Sequence, residues 1–380
     1  MGDRIMPSII RATTTNGVVI QPDNSGSLIL QTNNGTTALT IDTSQNATFA
    51  GTVAMGSSFL RNRIINGDMR IDQRNNGAAY TVTGGIYTLD RYFTQGVAAA
   101  GVFTIQQQSS ASPTGFTNYA RAAVTTNSAS VTGSQAYGLG QVIEGFNISD
   151  LGFGTASPAT ITASFWVRSS VTGTFSAVFF NNQTPMSYPF TYTISSANTW
   201  TYITQTITGP TTGTWNTTNS QGLYIIFDFG SGSTVRTTAG SWQNGSFFGV
   251  TGSTSLINTN GATWDVTGIQ IEVGSSATPF ERRLYNQELA NCQRYYERIV
   301  IGNMQIPNGN GSAMINPISF HVQKRASPTM ATITAATTNG AATIQLNGVS
   351  VNNFGLQFIN SSTTNNFFTN LPIYSATIEL

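Results

Sequence analysis

The chain has 380 residues, with 16 Lys or Arg against 15 Asp or Glu, so its net charge is +1. Charged residues make up 8% and hydrophobic residues 39%, which excludes a disordered polyelectrolyte, a class poor in apolar residues and high in net charge. Near-neutrality also removes the long-range pull that nucleic acid or an anionic membrane surface exerts on a basic protein. The longest apolar run, Leu223 to Phe227, is too short for a spanning helix, and the single cysteine, Cys292, excludes an intramolecular disulfide. The opening MGDRIMPSIIR mixes charges and lacks an apolar signal core, so synthesis in the cytoplasm is expected. Thr, Val, Ile, Phe and Tyr punctuated by Gly and Asn predict an all-β chain of two or three domains.

Through the first sixty residues short apolar pairs recur: Val18 and Ile20, Leu28 and Leu30, Leu39 and Ile41, then Phe49 and Val53. Strands so short cannot bury a core alone. Residues 1–58 therefore read as an attachment segment and an intertwined β shaft, in which three identical chains supply one another's missing apolar face. From 59 to 282 the strands lengthen. Ile161, Ala163, Phe165 and Val167 share one face of a strand, with Ser164, Trp166 and Arg168 on the other. Leu223, Ile225, Phe227 and Phe229 repeat that alternation, as do Ile269, Ile271 and Val273. Turn residues between such strands predict a jelly-roll β-sandwich.

A linking helix is expected within 283–299, at Gln287 to Glu297 with Asn286 as N-cap. Tyr285, Leu289, Cys292 and Tyr296 would form its apolar packing face. Residues 300–380, interrupted by Pro307, Pro317 and Pro328, read as a small C-terminal β domain.

Charges are few enough for their placement to be informative. Six lie between Arg61 and Arg74 and seven between Glu281 and Arg298, thirteen of the 31 in all. Asp68, Arg70, Asp72 and Arg74 are two apart, so on a strand they would form one stripe of alternating sign. We expect Arg63, Asp68, Arg70, Asp72 and Arg74 to meet Glu281, Arg282 and Arg283 in a structural salt-bridge network.

Catalytic chemistry finds little support. His321 is the only histidine: no Cys or second His offers metal-ligand spacing, and a Ser/His/Asp site would rest on that one residue with no nucleophile elbow in sight. Most carboxylates of the sandwich stand beside arginines, which favours pairing over glycoside hydrolysis. Binding a sugar needs only an aromatic platform with amides nearby for hydroxyl groups. The loop-rich stretch from Gly209 to Ser246 carries Trp215 and Trp242 among Asn216 and Asn244, and Trp166 and Arg168 on an outer strand face are further candidates. Against this, a tryptophan in a β protein more often fills a core.

The runs NRIINGDMRIDQR from Asn62, TLDRY from Thr88, TASFWVRSS from Thr162, TWTYITQTI from Thr199 and GIQIEVG…ATPFERR…ELANCQRYYER resemble a module of bacteriophage tail fibres and related virion appendages. The same region is more distantly similar to jelly-roll carbohydrate-binding modules, and Thr36 to Val53 looks like the shaft segment of trimeric phage fibres. The resemblance implies a homotrimer in the virion, anchored to other virion proteins through its N-terminus, with the C-terminal domain distal. Such modules often hold a structural calcium, and Asp68 and Glu272 are the matching positions; with Arg70 beside them, no metal or other cofactor is assigned. The expected function is a virion fibre, foremost a tail fibre, that binds a host surface glycan without catalysis. Two alternatives stand: a purely structural head-fibre, decoration or collar protein, and a glycan-degrading tailspike.

Overall fold

The computed structural model describes residues 26–32, 35–49, 61–96, 101–302, 311, 313–335, 337–338, 342–360, 368–370 and 372–380. They belong to two compact units divided between Ser58 and Phe59. The expected attachment segment at residues 1–11, together with Val18, Ile20 and Val53, lies outside the described residues.

In the first unit, Leu28–Thr32, Thr36–Ile41 and Ala47–Phe49 form an antiparallel three-stranded meander. Asp42 closes its second turn by accepting the Ser44 and Asn46 amides, both at 2.9 Å. Among the described residues this sheet has no second layer, and Ile29, Leu30 and Phe49 are 50%, 44% and 49% exposed.

The second unit is built on a sandwich of two antiparallel sheets. One runs, from edge to edge, Thr201–Ile207, Ile161–Ser169, Thr263–Val273, Tyr119–Thr126, Val102–Gln108 and Tyr80–Thr81. The other runs Gln243–Asn244, Met186–Ile194, Gly173–Asn181, Gln221–Ser231, Ala136–Glu144, Tyr92–Gly96 and Tyr87–Leu89. The period-two alternation decides which faces meet. Ile161, Ala163, Phe165 and Val167 are fully buried against Phe175, Ala177, Phe179, Leu223, Ile225 and Phe227. Truncating one such Phe to Ala costs about 3–5 kcal/mol, because the packed interior cannot close the hole. Trp264 sits in the same core and donates its indole N–H to the Tyr192 hydroxyl at 3.0 Å. Val273, at the strand end, is half exposed.

The stretch from Arg61 to Arg74 departs from expectation: it is irregular backbone, so the alternating charge stripe does not form. Asparagine amides take over the bonds a strand ladder would have made. Asn62 accepts the Ile64 and Ile271 amides and donates to the Ile269 carbonyl, while Asn66, in the left-handed region at φ 59, pairs with both backbone groups of Ile71. Its charges disperse accordingly. Asp68 pairs with Arg70, Arg63 with Asp150 and Arg74 with Glu379, while Asp72 accepts the Asn75 and Gly77 amides in a turn. The two charged windows do touch, chiefly through charge-to-backbone bonds. Arg283 donates to the carbonyls of Asn62 and Ile64 and pairs with Glu281 and Glu288; Arg70 donates to the Arg283 carbonyl; Glu281 accepts the Asn62 amide. Arg282 turns away to the Gly115 carbonyl and lies over the Phe116 ring.

The helix spans Tyr285–Gln293, two residues earlier and four shorter at its end than expected. Leu284, not Asn286, is its N-cap, with no side-chain cap bond. It stops because Tyr296–Val300, rich in aromatic and β-branched residues, pairs as a strand with Ile373–Thr377. The packing face is therefore corrected too. Tyr285 is 55% exposed, Leu289 is half-buried, and Tyr296 belongs to the strand, so the buried set is Glu288, Cys292 and Tyr295.

Beyond the helix, Tyr296–Val300, Ile373–Thr377 and Thr329–Thr334 form one small sheet, and Ala313–Ser319, Asn353–Asn360 and Ala342–Asn347 another. Pro317 sits in the edge strand Ala313–Ser319, where its missing N–H is tolerated. Ile299, Phe320, Phe354, Leu356 and Phe358 make a separate core. This part belongs to the same compact unit as the sandwich and is fastened to it by buried charges. Glu379 pairs with Arg91 and Arg74, Arg325 donates to the Asn219 carbonyl at 2.6 Å, and Glu144 takes Arg294 and the Tyr295 hydroxyl.

Candidate functional site

At one flank of the sandwich, the edge strand Thr201–Ile207 of one sheet and the strands Met186–Ile194 and Gln243–Asn244 of the other border a groove. Four aromatic side chains from separate segments cluster there. Phe153 and Trp215 meet edge to face at 5.0 Å, and Trp242 meets Trp215 at 5.6 Å and Tyr188 at 5.4 Å. Trp215 is buried and donates its indole N–H to the Thr212 carbonyl. Trp242 is half-buried, its N–H fixed on the Thr208 carbonyl at 2.9 Å, so its ring is immobilised with one side toward a groove. Gly209 lets the chain cross behind it: a Cβ there would lie 2.7 Å from Phe153 and 2.5 Å from the Ala159 carbonyl oxygen.

The groove has a volume of about 530 Å³, inside the usual range of roughly 300–1,000 Å³ for small-ligand sites. Trp242 and Tyr188 supply flat apolar surface, Thr206, Thr208 and Ser241 supply hydroxyls, and Asn244 supplies an exposed amide. No charged side chain lines it. Such a lining suits a neutral ring that has apolar faces and a hydroxylated rim. It provides no pair of carboxylates with which to cleave a glycosidic bond.

The expected carbohydrate-binding residues separate into groups. Trp242 and Asn244 line the groove, and Trp215 braces Trp242 from inside the core. Asn216 does not reach it, because its amide is spent on the Gln221 carbonyl at 2.9 Å and on Gln183. Arg168 is likewise structural: it pairs with Asp265 at 2.6 Å, donates to the Tyr119 hydroxyl, and lies over the Trp200 ring. Trp166 meets Tyr202 at 5.2 Å on the outer face of the six-stranded sheet and does not line the groove. Tyr188 and the threonines were not anticipated, since in sequence they read as ordinary strand residues; only the density of Thr around Gly209-Pro210 sets that edge apart.

The positions matched to a calcium site are already satisfied by protein donors. Glu272 accepts Gln270 Nε2, the Thr278 amide and the Thr278 hydroxyl, and Asp68 faces Arg70 Nε at 2.5 Å. These residues do not fit a bound cation. His321 is exposed and pairs with the buried Glu297, which also takes Lys324.

No protein-family model matches the chain, and no curated protein does. Among solved structures, the enzymatically active domain of tailspike protein 4 from bacteriophage CBA120 aligns with 59% of this chain at 13% identity and a TM-score of 0.30, and this chain spans 24% of that one. The family 11 carbohydrate-binding module from Clostridium thermocellum, in complex with a β-1,3-1,4-mixed-linked tetrasaccharide, aligns with 53% of this chain and 98% of its own length at 10% identity and a TM-score of 0.26. TmCBM61 in complex with β-1,4-galactotriose aligns with 56% of this chain and 99% of its own at 10% identity and a TM-score of 0.26.

Proposed function

We propose that this protein is a non-catalytic, glycan-binding component of a bacteriophage virion appendage, foremost a tail fibre, that attaches the particle to a host surface. The observation that carries the binding reading is the uncharged groove in which the immobilised Trp242 ring faces Tyr188, a row of hydroxyls and Asn244. A pyranose laid on Trp242 would stack its apolar face and turn its hydroxyls to the threonines and the amide. The phage assignment is supported by the tail-fibre-like runs at Asn62–Arg74 and Gly268–Arg298. A trimer is supported by the apolar side chains exposed on the thin N-terminal sheet.

The test is a glycan array carrying neutral bacterial surface polysaccharides, followed by calorimetry on any hit. Trp242→Ala is expected to weaken binding at least tenfold, and Asn244→Ala several-fold, with circular dichroism confirming that both variants stay folded. Equal affinity in Trp242→Ala would remove this groove from the reading. Labelling of the chain in intact particles tests the appendage: signal at the tail supports attachment, and signal confined to the head would assign it to a structural role.

A further inference from the structure

A second cleft, about 390 Å³, opens on the outer face of the seven-stranded sheet near its opposite edge. Strand alternation puts Phe93 and Gln95 of Tyr92–Gly96, Val142 of Ala136–Glu144 and Tyr224 of Gln221–Ser231 on that outer face, because their neighbours Tyr92, Ile143 and Ile225 are in the core. Tyr87, Phe93 and Tyr224 follow one another across the strands, with ring centroids 6.0 and 5.9 Å apart. Gly140, opposite Phe93 in register, makes room for the row: a Cβ there would lie 2.8 Å from the Phe93 ring.

The polar content is as specific as the aromatic one. No charged side chain lines the cleft, and the buried amide oxygen of Gln95 accepts no hydrogen bond from any described residue. A buried acceptor left unmatched is destabilising, a penalty that a hydroxyl donor would relieve and an aliphatic chain would not. A carboxylate or phosphate would meet that oxygen with like polarity and find no cation. We propose that this cleft is a second saccharide site, taking a neutral pyranose against the row of Tyr87, Phe93 and Tyr224 with a sugar hydroxyl donating to Gln95 Oε1. Four strand steps, roughly 19 Å, separate the groove's strand Met186–Ile194 from the cleft's strand Tyr92–Gly96. Each chain therefore binds neutral glycan at two independent places, and this proposal stands or falls separately from the Trp242 reading.

The experiment uses the full chain with gluco-, galacto- and manno-hexaoses as probes, read by saturation-transfer NMR and calorimetry. The cleft contains tyrosines but no tryptophan, so its occupancy leaves Trp242 emission unchanged. Trp242→Ala should keep binding at one site per chain, and adding Gln95→Leu should weaken that site about tenfold. Tyr224→Ala should abolish it, with circular dichroism and melting confirming the fold. Binding that vanishes in Trp242→Ala alone, or that persists unchanged in Trp242→Ala/Gln95→Leu, overturns the second site while leaving the first reading intact. Binding lost in Gln95→Leu and kept in Trp242→Ala does the reverse.

Discussion

Asp90 and Arg91 are consecutive, both buried, and differently satisfied. Arg91 pairs with Glu379 and lies 3.5 Å from the centre of the Tyr295 ring, fastening the C-terminal strands to the sandwich. Asp90 has no ion-pair partner at contact distance among the described residues and accepts the Gln73 amide and side chain at 2.7 and 2.6 Å. Burial pushes its carboxyl up to about 6, Arg74 opposing that shift. Because the folded state holds this proton more tightly than the unfolded chain, the associated stability is complete below about pH 4 and is lost as pH rises through 6. A rise of about two units corresponds to about 3 kcal/mol. Urea unfolding of wild type and Asp90→Asn at pH 4 to 7.5 should therefore show the wild type losing ground by an amount of that order. A difference that stays constant with pH would mean that Asp90 titrates normally. In sequence both residues appear only as letters in TLDRY; their partners lie 17 to 288 positions away, and no local pattern encodes them.

The helix Tyr285–Gln293 shows what an element's sequence pattern can and cannot carry. Spacing of apolar residues located it, but its working face centres on a carboxylate: Glu288 accepts the Asn66 amide and holds Arg283 and Asn291. A helical wheel assigns such a residue to solvent, and only the irregular Arg61–Arg74 segment, with a donor to satisfy, draws it inward. Glu288→Ala leaves the buried Asn66 N–H unmatched while Arg283 keeps Glu281 and two carbonyls, and a buried donor so orphaned costs about 1–3 kcal/mol. Leu289→Ala, at a half-buried position, should cost less than half as much. Equal losses in denaturant melts would return the packing role to the apolar face. The sandwich strands were legible because alternation and burial coincide in them, as in Ile161–Ser169. The groove was legible only where tryptophan marks it, since Tyr188 and Thr208 reach it by sheet geometry that no spacing announces.

At the scale of the whole molecule, the N-terminal unit exposes what a finished fold would cover. Leu28–Thr32, Thr36–Ile41 and Ala47–Phe49 make a single layer with Ile29, Leu30 and Phe49 near half exposure. Three such sheets packed face to face would bury these side chains, each worth roughly 1.5–3 kcal/mol on full burial. Trimerisation also bears on binding: single sugar contacts are weak, and linked sites raise avidity by about 10²–10⁴ when geometry permits simultaneous engagement. Sedimentation equilibrium should thus give about three times the 40.4 kDa chain mass, and Ile29→Ser/Phe49→Ser should return a monomer. The sandwich melting transition should be unchanged in that variant, because its core lies entirely in the other unit. Binding to immobilised polysaccharide should fall by at least a hundredfold while affinity for a soluble hexaose stays constant. A monomeric wild type, or a double variant that remains trimeric, would place the oligomer contact elsewhere in the chain.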